Sequence, residues 1–270
     1  MEATCRQALA AGLPAIAFTE HADFTPWVTA ERAAELRRAG GLPHGTRPIG
    51  SHHKGGAFDA AGYWDAIDRC RSLFPALRIR SGVELGEAHR FTAEAAAILS
   101  YRPLDLVLGS LHCIPLDGEL ADMSAQGMLT VETAVARLRT YFAEVLDLVE
   151  QSSVFAVLAH LDYPKRYWPF DRLGFDEHDF EEEYRSVLRA LARSGRALEV
   201  NTSRGADPKR GLCPGPIALR WWYEEGGAAV SFGSDAHSPD RVMSGFALAT
   251  EMATAAGFRA AADPAAFWLR

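Results

Sequence analysis

Six apolar segments of the sequence each end in a residue type that binds metals or carries out polar catalysis. Each segment is short and rich in Val, Ile, Leu and Phe, which is typical of a buried parallel strand. The polar residues at these ends are His21, Glu84, His112, His160 with Asp162, Asn201, and Asp235 with His237. The carboxyl ends of parallel strands converge at one face, where barrel enzymes carry their functional residues. Histidines and carboxylates gathered in one pocket predict a metal site.

Recurrence is the main argument for the histidines. A single histidine after a strand is more often a capping or surface residue than a metal ligand. Here the segments TEHAD, GSLH, LAHLD and SDAH all have a histidine at the same position relative to a strand. Four histidines at equivalent strand ends are hard to explain as core-packing residues alone. The role of Asp23, two residues after His21, is left open.

The carboxylates at the strand ends need partners. Glu84 follows a buried strand, and a buried carboxylate is costly unless it is paired or bound to a metal. Metal binding is favoured over a salt bridge with Arg80, and Glu87 is assigned to the following loop or to a helix start. Asp235 and His237 are two residues apart in an extended segment, so both face one side of the chain. One of the two side chains could then bind one metal ion and the other a neighbouring metal ion.

Two arginines are candidates for binding phosphate, because a guanidinium matches phosphate oxygens in a bidentate way. Arg166 follows the fourth strand and Arg204 follows the fifth. For Lys165, a solvated loop charge is an equally good interpretation. The sequence has no G-x-S-x-G elbow, and no strand runs into a G-x-G-x-x-G turn. Serine-based hydrolysis and dinucleotide binding are therefore not supported.

Strand and helix patterns alternate along the chain, which predicts a parallel sheet with right-handed crossovers in one domain, residues 1–270. Strands are predicted at 15–20, 78–84, 105–111, 154–160, 197–201 and 228–232. Helices are predicted at 2–11, 59–73, 91–100, 130–151, 177–194, 215–226 and 239–257. A short helix is also predicted near 29–39, and residues 40–56 are expected to be a lid, a binding loop or disordered. Residues 262–270 are predicted to be a short helix or a tail.

Composition limits the partners and the compartment. The net charge of -7 disfavours a nucleic-acid partner, which would need a basic surface. No apolar stretch approaches the roughly 18 residues of a membrane helix, and the N-terminus does not resemble a signal peptide. The four cysteines are far apart and are expected to be reduced thiols. A cytoplasmic location is expected, a small anionic substrate stays compatible with the net charge, and the oligomeric state is left open.

Six motifs occur in one order: TEHAD, GVELGE, GSLH, AHLDYPKRY, EVNTS and FGSDAHSP. Together they resemble the polymerase-and-histidinol-phosphatase (PHP) family over residues 1 to about 250, and the fourth and fifth are closer to its histidinol-phosphatase branch. The resemblance implies a distorted seven-stranded α/β barrel and two or three divalent ions (Zn, Mn or Fe). It implies that Glu84 bridges two ions, one with His112 and His160 and the other with Asp235. It also implies that His21 and His237 hold a third ion, and that Arg166 and Arg204 bind the phosphate.

One departure from the family pattern is expected to matter. The family opens with a strand that ends in His-x-His, whereas this sequence begins at what resembles the first helix, so the first strand is expected to be missing. A start codon chosen too far downstream is favoured over a natively short chain, because a barrel without one strand has unpaired edges.

The resemblance implies hydrolysis of a phosphate monoester, with L-histidinol phosphate as the expected substrate and histidine biosynthesis as the expected role. Glu84, Asp235 and Arg166 are the expected catalytic residues. Two alternatives stay open. One is a phosphoesterase with the same metal core that acts on nucleotides or other phosphoesters. The other is a metal-binding protein whose catalysis is impaired because the His-x-His strand is missing.

Overall fold

A computed structural model of the protein describes residues 1–25 and 58–270. The helix predicted near 29–39 and the loop predicted at 40–56 lie outside these ranges. The described strands are β1 Ala15–Ala22, β2 Arg78–Gly86, β3 Leu106–Ser110, β4 Cys113–Leu116, β5 Glu119–Asp122, β6 Val157–Leu158, β7 Ala197–Asn201, β8 Ala229–Gly233 and β9 Trp268–Leu269. The described helices are α1 Glu2–Ala10, α2 Ala60–Leu73, α3 Thr92–Tyr101, α4 Ala134–Gln151, α5 Glu181–Arg193, α6 Pro216–Glu224 and α7 Phe246–Ala256. Short 3₁₀ helices cover Tyr163–Tyr167, Glu177–Phe180 and Pro239–Arg241.

Seven of these strands form one sheet in the order β1-β2-β3-β6-β7-β8-β9. All neighbouring pairs from β1 to β8 are parallel. The six predicted strands are therefore confirmed, although the fourth is shorter than predicted. Each of the five connections between neighbouring parallel strands contains a helix, as parallel pairing requires. The carboxyl ends of the six parallel strands consequently lie at one edge of the sheet.

The sheet is curled, so that strands distant in its order approach each other at the opposite end. On β2, the Arg78 guanidinium lies 2.7 Å from a carboxylate oxygen of Asp263, just before β9. Arg80 of the same strand donates a hydrogen bond of 2.9 Å to the carbonyl of Ala265. These contacts join the second strand of the sheet to the segment that leads into its last strand. The predicted distorted α/β barrel architecture is confirmed in this half-barrel form.

The main core lies between the sheet and the helices α4, α5 and α6. Its largest fully buried side chains include Tyr141, Phe142, Tyr184 and Trp222. The rings of Phe142 and Tyr184 are 4.5 Å apart and fix α4 against α5. Burial of aromatic side chains of this size contributes much of the stability of a domain. These helices thereby fix the strands that carry the polar ends.

The last strand of the sheet, β9, was not predicted. Residues 262–270 were expected to form a short helix or a tail, but Trp268 and Leu269 pair antiparallel with Val230 and Ala229 of β8. The Trp268 ring also packs edge-on against Phe232 at 5.2 Å. A two-residue strand carries too little sequence pattern to be recognised, and pairing with β8 decides its conformation.

The hairpin of β4 and β5 was also missed. Its turn is Asp117-Gly118, and both residues have positive φ, +52° and +83°. This is the backbone of a type I′ turn, for which Asp-Gly is a preferred sequence. The Asp-Gly dipeptide was therefore a usable signal for a hairpin.

All four cysteines are buried free thiols, in agreement with the prediction. Among the described helices, none has the length and apolar character needed to cross a bilayer.

Candidate metal centre

Glu84 lies at the centre of the converging strand ends. It is in register with His21 of the neighbouring strand β1, and only 6% of its surface is exposed. Its Oε1 lies 2.8 Å from Nε2 of His160 and 3.3 Å from Nε2 of His112. Its Oε2 lies 3.8 Å from Nδ1 of His21. One buried carboxylate is therefore surrounded by three imidazoles from three different parts of the chain.

The ionisable side chains of this group shift one another's pKa. Burial works against ionisation of Glu84, but His21, His160 and His112 hold its pKa well below the usual range. The carboxylate of Glu84 in turn raises the pKa of His21 to about 9. Burial disfavours the charged form of His112, but Asp23 and Glu84 hold its pKa well above normal. For His160 burial prevails and lowers the pKa. The site thus attracts positive charge, either as protons or as a cation.

A second group of possible ligands adjoins the first. Asp235 follows β8, and its Oδ1 lies 3.5 Å from Nδ1 of His237. The rings of His237 and His21 are 5.5 Å apart. Burial opposes ionisation of Asp235, but Arg166 keeps its pKa below normal. His237 is half exposed, so this group lies nearer the solvent than Glu84.

The donor atoms fit divalent metal ions. Ligand atoms of His21, Glu84 and His112 lie within 4.8 Å of one another, and so do those of His21, Asp235 and His237. Imidazole nitrogens and carboxylate oxygens are the ligands of Zn and of other first-row metals. The structure thus brings together the six predicted ligands, with His21 adjacent to both groups. Their distribution among particular ions stays a prediction.

Arg166 lies beside this centre. It belongs to the 3₁₀ helix Tyr163–Tyr167, its side chain is 9% exposed, and its Nη1 lies 2.9 Å from Oδ2 of Asp235. Its Nε and Nη2 are buried and have no hydrogen-bond partner among the described residues. A buried guanidinium with two unpaired donors is suited to an anionic oxygen ligand. Arg204, the other predicted phosphate ligand, is exposed in the turn after β7.

Lys165 and Asp162 form a buried pair in the segment that follows β6. The Lys165 ammonium lies 2.7 Å from Oδ2 of Asp162 and donates a hydrogen bond of 2.7 Å to the carbonyl of Leu212. Asp162 also accepts a hydrogen bond of 2.8 Å from the Tyr184 hydroxyl. The interpretation of Lys165 as a solvated loop charge was wrong. Both residues support the fold of the segment that carries Arg166.

Three further carboxylates contact the histidines. Asp23 Oδ1 lies 3.0 Å from Nδ1 of His112. Glu87 and Glu199 each accept the backbone N–H of one histidine, at 2.7 Å from His112 and 2.9 Å from His160. Asp23 was left without a role, Glu87 was assigned to the loop or helix start after its strand without a contact to the site, and Glu199 was missed. A polar residue inside an apolar strand was the available signal for Glu199, which shares a face of β7 with Asn201 two residues later.

Comparison with known proteins defines the family. Residues 1–203 match the model of the PHP domain. The chain belongs to the PHP domain family. The resemblance inferred from the strand-end motifs is thereby confirmed.

Curated relatives in this PHP family carry the histidinol-phosphatase name. The histidinol-phosphatase of Lactococcus lactis subsp. lactis (strain IL1403) is 26% identical over 253 residues, which cover 93% of this chain and 83% of the relative. A Deinococcus radiodurans relative with the name "Probable histidinol-phosphatase" is 27% identical over 255 residues, 90% of this chain and 82% of its own.

Solved structures share the PHP fold. That of histidinol phosphate phosphatase from Lactococcus lactis, complexed with Zn, L-histidinol and phosphate, superposes with a TM-score of 0.75 at 25% identity. The match covers 95% of this chain and 87% of that chain. A Listeria monocytogenes structure gives 0.70 at 17% identity over 92% of each chain, a likeness of fold alone.

Proposed function

We propose that this protein is a metal-dependent phosphate-monoester hydrolase that converts L-histidinol phosphate and water to L-histidinol and phosphate. The curated Lactococcus lactis relative has the histidinol-phosphatase name across most of both chains. The Lactococcus lactis structure that resembles this one was solved with Zn, L-histidinol and phosphate. Both observations support the same substrate and the same class of reaction.

The proposed ligands of two or three divalent ions are the six residues His21, Glu84, His112, His160, Asp235 and His237. Ions bound there would polarise a phosphoryl oxygen and make water more acidic. Zn is favoured over Mn and Fe by its presence in the Lactococcus lactis structure. Glu84 and Asp235 would supply the negative charge that holds such ions.

The buried guanidinium of Arg166 is the single observation that carries the proposal for a phosphate substrate. Asp235 pairs with only one of its nitrogens, at 2.9 Å, and leaves Nε and Nη2 without a partner among the described residues. Unpaired buried donors are costly, and the oxygens of a phosphoryl group would satisfy them. Arg166 would then orient the ester and stabilise the charge that develops on its oxygens. The proposed contact of Arg204 with the phosphate has no support in the described contacts.

Steady-state kinetics on the purified protein test this function. The protein is loaded with Zn²⁺, Mn²⁺ or Fe²⁺ in turn, and phosphate release is followed with L-histidinol phosphate and with nucleoside monophosphates. We expect kcat/KM for L-histidinol phosphate to exceed that for any nucleotide by roughly 100-fold or more, since a site shaped for one leaving group rejects another. Faster turnover of nucleotides would favour the broader phosphoesterase. No release from any monoester by metal-loaded protein would leave only a metal-binding role.

A further inference from the structure

Two buried glutamates outside the proposed ligand set lie directly behind its histidines. Glu87 is 1% exposed and Glu199 is 4% exposed. A carboxylate buried to this extent is unfavourable unless hydrogen bonds replace its contacts with water. The donors that meet Glu87 and Glu199 therefore indicate what these two side chains do.

Glu199 holds the backbone of His160. Its Oε2 accepts the His160 backbone N–H at 2.9 Å. The parallel pairing of β6 with β7 ends at Leu158, two residues earlier. The carboxylate therefore continues the connection between the two strands beyond the end of their regular hydrogen bonds. The same oxygen accepts a hydrogen bond of 3.2 Å from the Asn201 amide, which lies 3.4 Å from Asp235.

Glu87 makes a similar contact between the ends of β2 and β3. Its Oε1 accepts the backbone N–H groups of His112 at 2.7 Å and of Cys113 at 2.9 Å. Its Oε2 accepts a hydrogen bond of 3.1 Å from the Thr25 hydroxyl. The regular pairing of β2 with β3 ends at Gly86 and Ser110, one residue before Glu87 and two residues before His112. In both cases a carboxylate fixes a histidine through its main chain.

Backbone geometry explains why such support is needed. His160 has φ of +23° and Glu87 has φ of +47°, values that side-chain-bearing residues seldom adopt. Such conformations persist only where the surrounding structure holds them. Space for the Glu199 carboxylate is available because residue 233 is glycine. A Cβ at Gly233 would lie 1.8 Å from Oε1 of Glu199.

We propose that Glu87 and Glu199 are positioning residues, which hold the main chain of His112 and His160 so that both imidazoles meet Glu84 in a geometry that binds a metal ion. The two glutamates act through the histidines and do not touch the substrate. This differs from the commoner arrangement in which a carboxylate contacts the imidazole itself, as Asp23 does with His112. The inference rests on the proposed function only in taking the two histidines as metal ligands.

The test compares two substitutions at the same position, Glu199→Leu and Glu199→Gln. Leucine removes the acceptor, whereas glutamine keeps a carbonyl oxygen that can accept the His160 N–H. Zn²⁺ affinity is measured by competition with a chelator, and Zn²⁺ content by elemental analysis, on protein without substrate. We expect Glu199→Leu to weaken Zn²⁺ binding roughly 10- to 100-fold and Glu199→Gln to retain most of the affinity. Glu87→Leu and Glu87→Gln are expected to behave in the same way.

Asp105→Ala is the matched control. Asp105 precedes β3, at the end away from His112, and its carboxylate accepts the backbone N–H of Ser81 in the neighbouring strand at 2.8 Å. Losing this bond should lower stability without weakening Zn²⁺ binding. Unchanged Zn²⁺ affinity in both leucine variants would overturn the proposal, and so would equal losses in the leucine and glutamine variants.

A second variant covers the case in which Glu199→Leu does not fold. Gly233→Ala leaves the carboxylate in the chain but forces it away from its position, so it should also weaken Zn²⁺ binding. Unchanged binding would contradict the role of Glu199. None of these measurements uses L-histidinol phosphate, so a failure of the proposed substrate would appear separately, as missing turnover in wild-type protein that binds Zn²⁺ normally.

Discussion

Arg166 occupies an unusual position for an arginine, since it is buried, paired through a single nitrogen and adjacent to the carboxylates of the candidate metal centre. The contact between Nη1 and Asp235 fixes one side of the guanidinium at 2.9 Å. Its plane also lies near the Tyr163 ring, with 5.2 Å between Cζ and the ring centroid. Both contacts restrict its rotamers. The phosphate ester would therefore meet a donor group that is already oriented.

Replacement of Arg166 by lysine tests this role. Lysine keeps the positive charge but loses the planar set of donors that matches two phosphate oxygens. We expect kcat/KM for L-histidinol phosphate to fall roughly 100-fold or more, the usual loss when a donor to the transition state is removed. Inhibition by inorganic phosphate should weaken in parallel. Arg204→Lys in the same two assays compares the exposed arginine, for which we expect a smaller effect.

Sequence patterns could locate the candidate ligands at strand ends but not the side chains that support those ligands from elsewhere. The positions of His112 and Asp235 follow from strand boundaries alone, because every parallel strand ends at the same edge. Glu87 and Glu199 depend on backbone angles and on space left by Gly233, which no period in the sequence encodes. Arg204 carries the same charge as Arg166. Only the packing around the two side chains makes Arg166 buried and Arg204 exposed.

At the scale of elements, the segment Tyr163–Tyr167 depends on a buried ion pair for its conformation. Lys165 is 5% exposed and lies 2.7 Å from Asp162, which is fully buried. Glu177, at 3.7 Å from the ammonium, also accepts the backbone N–H groups of Gly215 and Ala218. The ion pair therefore links the turn that carries Arg166 to the start of α6.

Loss of this ammonium should destabilise the whole domain. In Lys165→Met the carboxylate of Asp162 stays buried without its counter-ion, which typically costs about 3–5 kcal/mol. Urea denaturation followed by circular dichroism measures the change in the free energy of unfolding. The control is Lys209→Met, because Lys209 pairs with Asp171 on the exposed surface, where an ion pair contributes about 0–1 kcal/mol. Equal effects in the two variants would contradict a structural role for the buried pair.

Helix α4 is joined to the loop after β2 by a second ionic contact. Glu144 lies 2.7 Å from Nε2 of His89 and accepts hydrogen bonds from both Nε and Nη2 of Arg90. Burial raises the pKa of Glu144, but the hydrogen bonds from His89 and Arg90 prevail and lower it from 4.5 to about 2. A carboxyl group with a lowered pKa stabilises the folded state above its unfolded pKa, and the contribution disappears as the pH falls towards the folded value.

The difference in unfolding free energy between wild type and Glu144→Gln should therefore depend on pH. We expect it to be largest above about pH 5 and to shrink between about pH 4.5 and pH 2. Urea denaturation of chelator-treated protein at several pH values measures this difference in unfolding free energy without a contribution from bound metal. Glu150→Gln serves as the control, since Glu150 is half exposed and lies 3.9 Å from Arg193. A difference that grows on acidification would contradict the assigned contacts.

The elements themselves were predictable to different degrees. The six parallel strands were found because buried strands between helices are continuous apolar runs. The fourth strand was predicted at 154–160. In the structure, β3 and β7 pair only with Val157 and Leu158 of this segment. The hairpin around Asp117-Gly118 had a local signal that was overlooked. The antiparallel strand Trp268–Leu269 had none, because its conformation depends on contacts with β8.

For the whole molecule, the proposed metal ligands connect distant parts of the chain. They follow or end five strands, β1, β2, β3, β6 and β8, between His21 and His237. The described hydrogen bonds between these ends and Glu84 are few, and mutual repulsion opposes charging of all the histidines together. Ions bound there would join the carboxyl ends of most of the sheet. Metal content should therefore affect global stability as well as activity.

Removal of the metal should lower the melting temperature. Ions that bind only the folded state stabilise it by about 2.7 kcal/mol when free metal is at 100 times Kd. For a domain of this size about 1 kcal/mol corresponds to about 2–4 °C, so chelation should lower the melting temperature by roughly 5–10 °C. Addition of Zn²⁺ should restore it. Glu84→Gln is the matched control, because it keeps the shape of the central side chain but removes its charge. Its melting temperature should respond much less to the chelator, and an equal response in both proteins would show that the stabilising ions bind away from Glu84.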